Sequence, residues 1–419
     1  MYSHQTSSSV VALLLCLSQS AYAAPKPFVK RGQVSTLEIK IPPNRIDDQY
    51  YTVDVDFGGQ TLPCLLDTGS SDHMVATDEC DNINNSSGCY GLQNRYIFTG
   101  QEDIVKNESF FTIVGTGSVF GNQSLMDIGL GDLTVPKVAT GLLYETALNF
   151  FQSSSFSGLL GLGFLNVSRQ YHFNNRLPII DTLLRSGGLA KPLFSISVPR
   201  LADPDSPETG ILTLGGIEAG RAESDLVYHE VLPTPNYNLE GAPPDLQGWI
   251  IEMIALRMNG KEIPVSALLD TQNRSLSFLD SGAQQIYVRP NDLDAVAAAF
   301  NGPTIYQPQR TIYFDCSIPQ MLEIKYGETW YPVDPLDLII PGQHGNSNGT
   351  ELCQSAITSW TRTFGDSIVG VPFLRSVFSV YDFVSNDAYT VAPRIGLTSL
   401  VNKDAALARY PALYRARMG

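Results

Sequence analysis

Two aspartates stand in nearly matching surroundings. Cys64-Leu65-Leu66-Asp67-Thr68-Gly69-Ser70-Ser71 has a counterpart 213 residues later, Ser277-Phe278-Leu279-Asp280-Ser281-Gly282-Ala283. Each is an apolar run that delivers a carboxylate, followed by a hydroxyl residue and a glycine. The glycine permits a tight loop whose backbone N–H groups approach and hydrogen-bond the carboxylate, where a Cβ would obstruct. One such tripeptide is an ordinary turn after a strand. Two suggest a single site, because carboxyls a hydrogen bond apart cannot both ionise cheaply and so share one proton, offering a base and an acid together.

A second internal echo supports the pairing. Gly161, in Gly158-Leu159-Leu160-Gly161-Leu162-Gly163-Phe164, lies 94 residues after Asp67, and Gly370, in Ser367-Ile368-Val369-Gly370-Val371-Pro372-Phe373-Leu374, lies 90 after Asp280. Repetition of both order and spacing is what a duplicated lobe leaves behind, one carboxylate from each half meeting at the junction. Over roughly residues 50 to 400, with a further Gly115-Thr116-Gly117, the chain resembles the pepsin-like aspartic peptidases.

That resemblance implies an all-β, bilobal fold of two related β-barrel-like lobes with a cleft between them. It also implies an aspartic-type endopeptidase working at acidic pH, with water activated between Asp67 and Asp280. A catalytically weak or inactive binding protein on the same scaffold is the alternative. Thr68 and Ser281 are expected to brace the two loops across the junction, with Gly69 and Gly282 beside them, and Ser70 to donate to the outer oxygen of Asp67. Val114, Gly115, Thr116 and Gly117 become a flap over bound peptide, and Cys80–Cys89 and Cys316–Cys353 match disulfides of the family. The implied partner is a peptide or protein substrate met by a monomer, with no cofactor and no metal. Three departures stand out. Ala283 replaces a common Ser or Thr, Val114 and Met74 replace a Tyr–Trp pair, and the basic pro-segment is short.

Strand-like elements must position these groups. Tyr50 to Phe57 alternates, turns at Gly58-Gly59 and returns through Leu62 to Asp67. Phe110 to Val114 and Ser118 to Phe120 flank the Gly-Thr-Gly turn as a second hairpin. Short strands are expected after each motif at Met74 to Ala76 and Gln285 to Val288, and others at Phe194 to Val198, Ile211 to Leu214, Trp249 to Leu256 and Val377 to Asp382. Helices are expected at Leu177 to Ser186, capped by Gly187-Gly188, and at Asn291 to Phe300. The Pro- and Asp-rich segment from Ala202 to Thr209 reads as an exposed loop, and His73 as a surface or rim residue. Gly158 to Gly163 is no dinucleotide loop, since no helix opens there with an acidic partner downstream. A Gly-x-Ser-x-Gly elbow is absent.

Composition narrows the class. The 419 residues suffice for two domains with sizeable cores, and 43% apolar against 16% charged residues describes a folded chain. Its net charge of −15 argues against nucleic acid, which needs a basic face. Val10 to Leu17 followed by Ala21-Tyr22-Ala23 reads as a signal peptide over 1–23, its eight apolar residues too few to span a bilayer. A short pro-segment or extension over 24–49 carries the dibasic Lys30-Arg31. The lobes are placed at 50–220 and 221–402, with a basic C-terminal tail at 403–419 and no membrane anchor. Secretion, or alternatively a vacuolar lumen, follows. Cys64 reads as a buried inert thiol, and no Cys-x-x-Cys or His-Glu-x-x-His spacing suggests zinc. Sequons at Asn84, Asn85, Asn107, Asn122, Asn166, Asn273 and Asn348 are candidate glycan sites on surface loops.

Overall fold

In the first hairpin Val53, Val55 and Phe57 are fully buried while Asp54 between them is exposed, the period-2 pattern of a strand with one face on a core. Its partner runs antiparallel from Gln60 to Asp67, joined through Gly58 and Gly59. Both glycines take positive φ (61° and 99°), which a two-residue hairpin turn of the favoured twist requires. The computed structural model describes residues 31–42, 50–81, 89, 92, 94–100, 102–115, 117–147, 156–200, 203–235, 245–302, 304–306, 310–347, 349–359, 361, 365–386 and 391–418.

The first half comprises β1 (Ser35–Ile39), β2 (Thr52–Phe57), β3 (Gln60–Asp67), β4 (His73–Asp81), β5 (Ile104–Val114), β6 (Gly117–Leu130), β7 (Leu133–Thr146), β8 (Gly158–Gly161), helices α1 (Arg169–Asn174) and α2 (Ile179–Ser186), then β9 (Leu193–Ser197) and β10 (Gly210–Leu214). The second begins with β11 (Val227–Glu230), β12 (Ile250–Met258), β13 (Lys261–Ile263), β14 (Leu276–Leu279), β15 (Ile286–Val288) and α3 (Pro290–Ala297). It continues with β16 (Thr304–Tyr306), β17 (Ile312–Asp315), β18 (Leu322–Tyr326), β19 (Thr329–Val333), β20 (Ile339–Ser347), β21 (Thr350–Ser355), β22 (Ile357–Ser359), β23 (Ser367–Val369), α4 (Val371–Leu374), β24 (Val377–Asp382), β25 (Arg394–Ser399) and α5 (Lys403–Arg417). The chain is all-β and bilobal in its main architecture, as expected.

Pairing shows the duplication directly. In the first half β8 lies parallel to β3 and antiparallel to β4, while β4 runs parallel to β7. In the second, β23 lies parallel to β14 and antiparallel to β15, while β15 runs parallel to β22. Each apolar-Gly strand is thus threaded between the two strands that flank an aspartate loop. Its glycine must be bare: a Cβ on Gly161 would sit 2.6 Å from the Ser71 carbonyl carbon, and one on Gly370 2.2 Å from Ala283 O.

A six-stranded sheet in the order β1-β10-β9-β24-β25-β11 joins the halves, with β9 and β24 antiparallel at the seam. Above it Trp249 is fully buried against Phe164, Tyr381 and Phe383, and its indole N–H donates to Leu162 O at 3.0 Å, tying the second half to the first.

Several expectations change here. The strand Ser35–Ile39 buries Leu37 and Ile39 and pairs with β10, so this part of the expected 24–49 extension belongs to the folded body. Residues 403–419 were expected as a tail, yet Lys403–Arg417 is a helix capped by Asn402, whose side chain accepts from Ala405 N, and it buries Ala406, Tyr410, Tyr414 and Arg417. Asp203, in the segment expected to be exposed, is buried because Arg200 and Arg409 pair with it at 2.8 Å. His73 is no rim residue: it is fully buried, stacked on Phe57, with Nδ1 3.0 Å from Leu159 O. Both disulfides are formed, Cys80–Cys89 and Cys316–Cys353, and Cys64 is free and buried. Among the sequons, Asn107 and Asn273 are exposed. Asn122 lies half-buried within β6 and Asn166 in a one-turn 3-10 helix with its Nδ2 buried, so neither is on an open loop. Asn84, Asn85 and Asn348, and the expected signal peptide, lie outside the described residues.

Candidate active site

Strands β3 and β14 end by carrying Asp67 and Asp280 to the junction of the halves. Each carboxylate accepts from the backbone N–H two residues on, Gly69 N to Asp67 Oδ1 and Gly282 N to Asp280 Oδ1, both at 2.8 Å. The glycines also face the opposite aspartate. A Cβ on Gly69 would stand 2.5 Å from Asp280 Cγ, and one on Gly282 2.5 Å from Asp67 Oδ1. Each loop therefore walls in the carboxyl of the other, and the two groups share a hydrogen bond.

The hydroxyl residues lock this arrangement reciprocally. Thr68 N donates to Ser281 Oγ and Ser281 N to Thr68 Oγ1, both at 3.0 Å. Each hydroxyl then donates across to the other strand, Thr68 Oγ1 to Leu279 O at 3.0 Å and Ser281 Oγ to Leu66 O at 2.8 Å. Both side chains are fully buried, so every donor and acceptor here is spoken for in a place where an unpaired one is costly.

Electrostatically the two aspartates differ. Burial pushes the Asp67 carboxyl up, against the pull of Ser70 Oγ, which donates to Asp67 Oδ2 at 2.5 Å, and of Gly69 N. Burial and then the Asp67 charge hold Asp280 well above the ordinary carboxylate range. Ala283 offers it no hydroxyl. The donors around Asp67 thus favour its ionised form over that of Asp280, while the pair titrates as a unit.

The β5–β6 hairpin closes at Val114 and Gly117, paired in register, with Gly115 at φ +53°; Thr116 lies outside the described residues. Val114 packs against an apolar cluster of Tyr50, Leu65, Met74, Phe110, Val119 and Phe156.

Sequence reading passed over two groups at this site. Asp72 is buried, accepting Ser168 Oγ at 2.6 Å and Arg169 N at 3.1 Å, and it also bonds the Thr112 side chain, so it links the segment after the first motif to α1 and the hairpin. Its position directly after Ser70-Ser71 was the available signal, but nothing in the pattern shows what it faces. Tyr287 on β15 has its hydroxyl pushed up to about 12, mainly by burial, with the neighbouring Asp280 carboxyl adding to it.

The model of the eukaryotic aspartyl protease family matches residues 49–393. The chain is 26% identical over 352 residues to a probable aspartic-type endopeptidase of Aspergillus fumigatus, covering 79% of this chain and 76% of that one. It is 26% identical to a probable aspartic-type endopeptidase of Trichophyton verrucosum, across 84% of this chain but only 61% of the relative. It is 24% identical to the vacuolar aspartic protease of Candida albicans, across 84% and 76%. With one carboxylate from each half walled in by the loop of the other, and a family match that spans both, this chain belongs to the eukaryotic aspartyl proteases.

Proposed function

We propose that the chain is an aspartic-type endopeptidase that hydrolyses peptide bonds with water activated between Asp67 and Asp280. The supporting observation is the reciprocal lock, which holds two carboxyls together at one buried point with unequal donors and hence unequal protonation. Asp67 takes a proton from water as its oxygen bonds to the scissile carbonyl carbon. Asp280 gives its proton to the carbonyl oxygen, and the tetrahedral gem-diol results. Asp67 then passes its proton to the amide nitrogen while a gem-diol hydroxyl gives its proton back to Asp280, and the C–N bond breaks, leaving a free amine and a carboxyl with the pair restored to a single proton on Asp280.

Such a pair works while it holds one proton, so activity belongs at acidic pH, in the secreted or vacuolar setting that the N-terminal sequence suggests. The flap of Val114, Gly115, Thr116 and Gly117 covers the bound peptide, and the enzyme acts as a monomer. The test incubates purified protein with denatured globin across pH 3 to 7, with and without a statine-type inhibitor, beside an Asp280→Asn variant whose amide keeps the shape but cannot share the proton. Inhibitor-sensitive cleavage that is lost in the variant supports the reading. Inhibitor binding without cleavage in the wild type would move the chain to the binding-protein class.

A further inference from the structure

Along the outer strand of the hairpin, three residues are held by α1, the segment just past it and Asp72. Arg176 donates to Glu108 through Nε at 3.0 Å and a terminal nitrogen at 2.7 Å, Asn174 Nδ2 donates to Ser109 O at 3.2 Å, and Thr112 bonds Asp72. Between strand and helix opens a cavity of about 380 Å³ lined by Ser109, Phe111, Arg169, Gln170, Phe173 and Asn174. These contacts tie the two walls of the cavity together.

Its chemistry is specific. The Arg169 guanidinium lies 5.0 Å from the Phe111 ring centre and makes no ion pair among the described residues, whereas Arg176, two residues past the helix, is paired with Glu108. Phe173, 69% exposed, supplies an apolar rim, and the amide of Asn174 is engaged with Ser109. Arg169 is thus a half-buried cation with no ion-pair partner among the described residues, in a chain of net charge −15. The cavity is tied to both the flap hairpin and the first aspartate motif: Ser109 and Phe111 of β5 line it, and the backbone N–H of Arg169 donates to Asp72, five residues after Asp67 in the chain. An extended peptide advances about 3.3 Å per residue, so a substrate residue a few positions from the scissile bond reaches it along the flap.

We propose that this cavity is a specificity subsite in which Arg169 takes a negatively charged side chain of the peptide substrate, with Phe111 and Phe173 flanking its aliphatic stem. The proposal rests on the peptidase reading above. A planar guanidinium over an aromatic face is well suited to carboxylate or sulfonate recognition, and the low exposure strengthens the attraction.

The experiment uses internally quenched peptides that differ at one position, scanned over three residues on each side of the scissile bond and carrying cysteic acid, Gln or Lys. Cysteic acid keeps its charge at acid pH, where Glu loses its own near pH 4. For the wild type, kcat/KM is expected to favour cysteic acid over Gln by roughly fivefold at one position and to disfavour Lys there. In Arg169→Gln that ratio falls to near one, and in Arg169→Glu it inverts in favour of Lys. A preference that survives Arg169→Gln, or that spreads evenly over all positions, overturns the subsite. Should the wild type cleave none of the peptides, the peptidase reading fails and the subsite is judged by binding alone. Fluorescence anisotropy must then show tighter binding of the cysteic acid peptide, lost in Arg169→Gln, or the subsite fails as well.

Discussion

Asp280 has one donor fewer than Asp67, and under the proposed mechanism this sets the alkaline end of activity. A hydroxyl introduced by Ala283→Thr stabilises the ionised form of the pair, so its upper apparent pKa falls and the alkaline limb of the pH–rate profile moves down by about one unit, the size of one charge-assisted hydrogen bond. An unmoved or upward-moving limb refutes this account. His73 acts on stability instead. Burial lowers its pKa to about 4, against 6.5 when exposed, so between these values the unfolded chain binds a proton that the folded chain refuses. Stability therefore falls as pH drops from about 6.5 to 4, by on the order of 3 kcal/mol from this residue. His73→Phe, which keeps the stacking on Phe57 but loses the bond to Leu159 O, should flatten the dependence of Tm on pH across that window. Equal slopes in both proteins would assign the acid sensitivity elsewhere.

At the scale of elements, the residue that precedes the hairpin turn is apolar. Val114 rests on the cluster that contains Met74, an apolar contact that strands no buried donor. Restoring Val114→Tyr together with Met74→Trp should raise turnover by more than the sum of the single changes taken as free energies; simple additivity would show that the two positions do not cooperate. The elements themselves were legible to different degrees. β3, β14, β8 and β23 could be read because each joins an apolar run to a motif whose spacing repeats, and β24 because every residue from Val377 to Asp382 is buried and mostly apolar or aromatic. Helix α5 was not, since its buried stripe of Ala406, Tyr410, Tyr414 and Arg417 includes a cation and Pro411 interrupts it. His73 and Asp72 were obscured for a related reason: polar side chains entered the core on the strength of partners distant in sequence, Leu159 and Ser168.

Across the whole molecule, a buried charge network binds the halves behind the site. Arg200 pairs with Asp203 and Asp337, Arg409 with Asp203 and Asp334, and Arg375 donates to Tyr51 at 2.7 Å. Asp203 follows β9, the last-but-one strand of the first half, while Asp334 and Asp337 lie in the second. Removing one cation leaves aspartates that are 1% exposed short of compensation. Arg409→Leu should therefore lower stability by about 3 kcal/mol, the low end for a broken buried pair because Arg409 keeps a quarter of its side chain in solvent. An unfolding free energy, from denaturant titration, lowered by less than a third of that amount would mean that Arg200 alone suffices.

The seam between β9 and β24 also bears on how the chain is made. Ser195 pairs with Val380 and Phe194 with Tyr381, so during synthesis the edge of β9 waits for a strand that leaves the ribosome about 185 residues later. Throughout that interval the nascent first half has an unpaired strand edge, and Phe164 and Phe194 lack Trp249 and Tyr381, a surface prone to pairing with other chains. The same strand that unites the finished lobes thus leaves the half-made protein open to mispairing until it arrives.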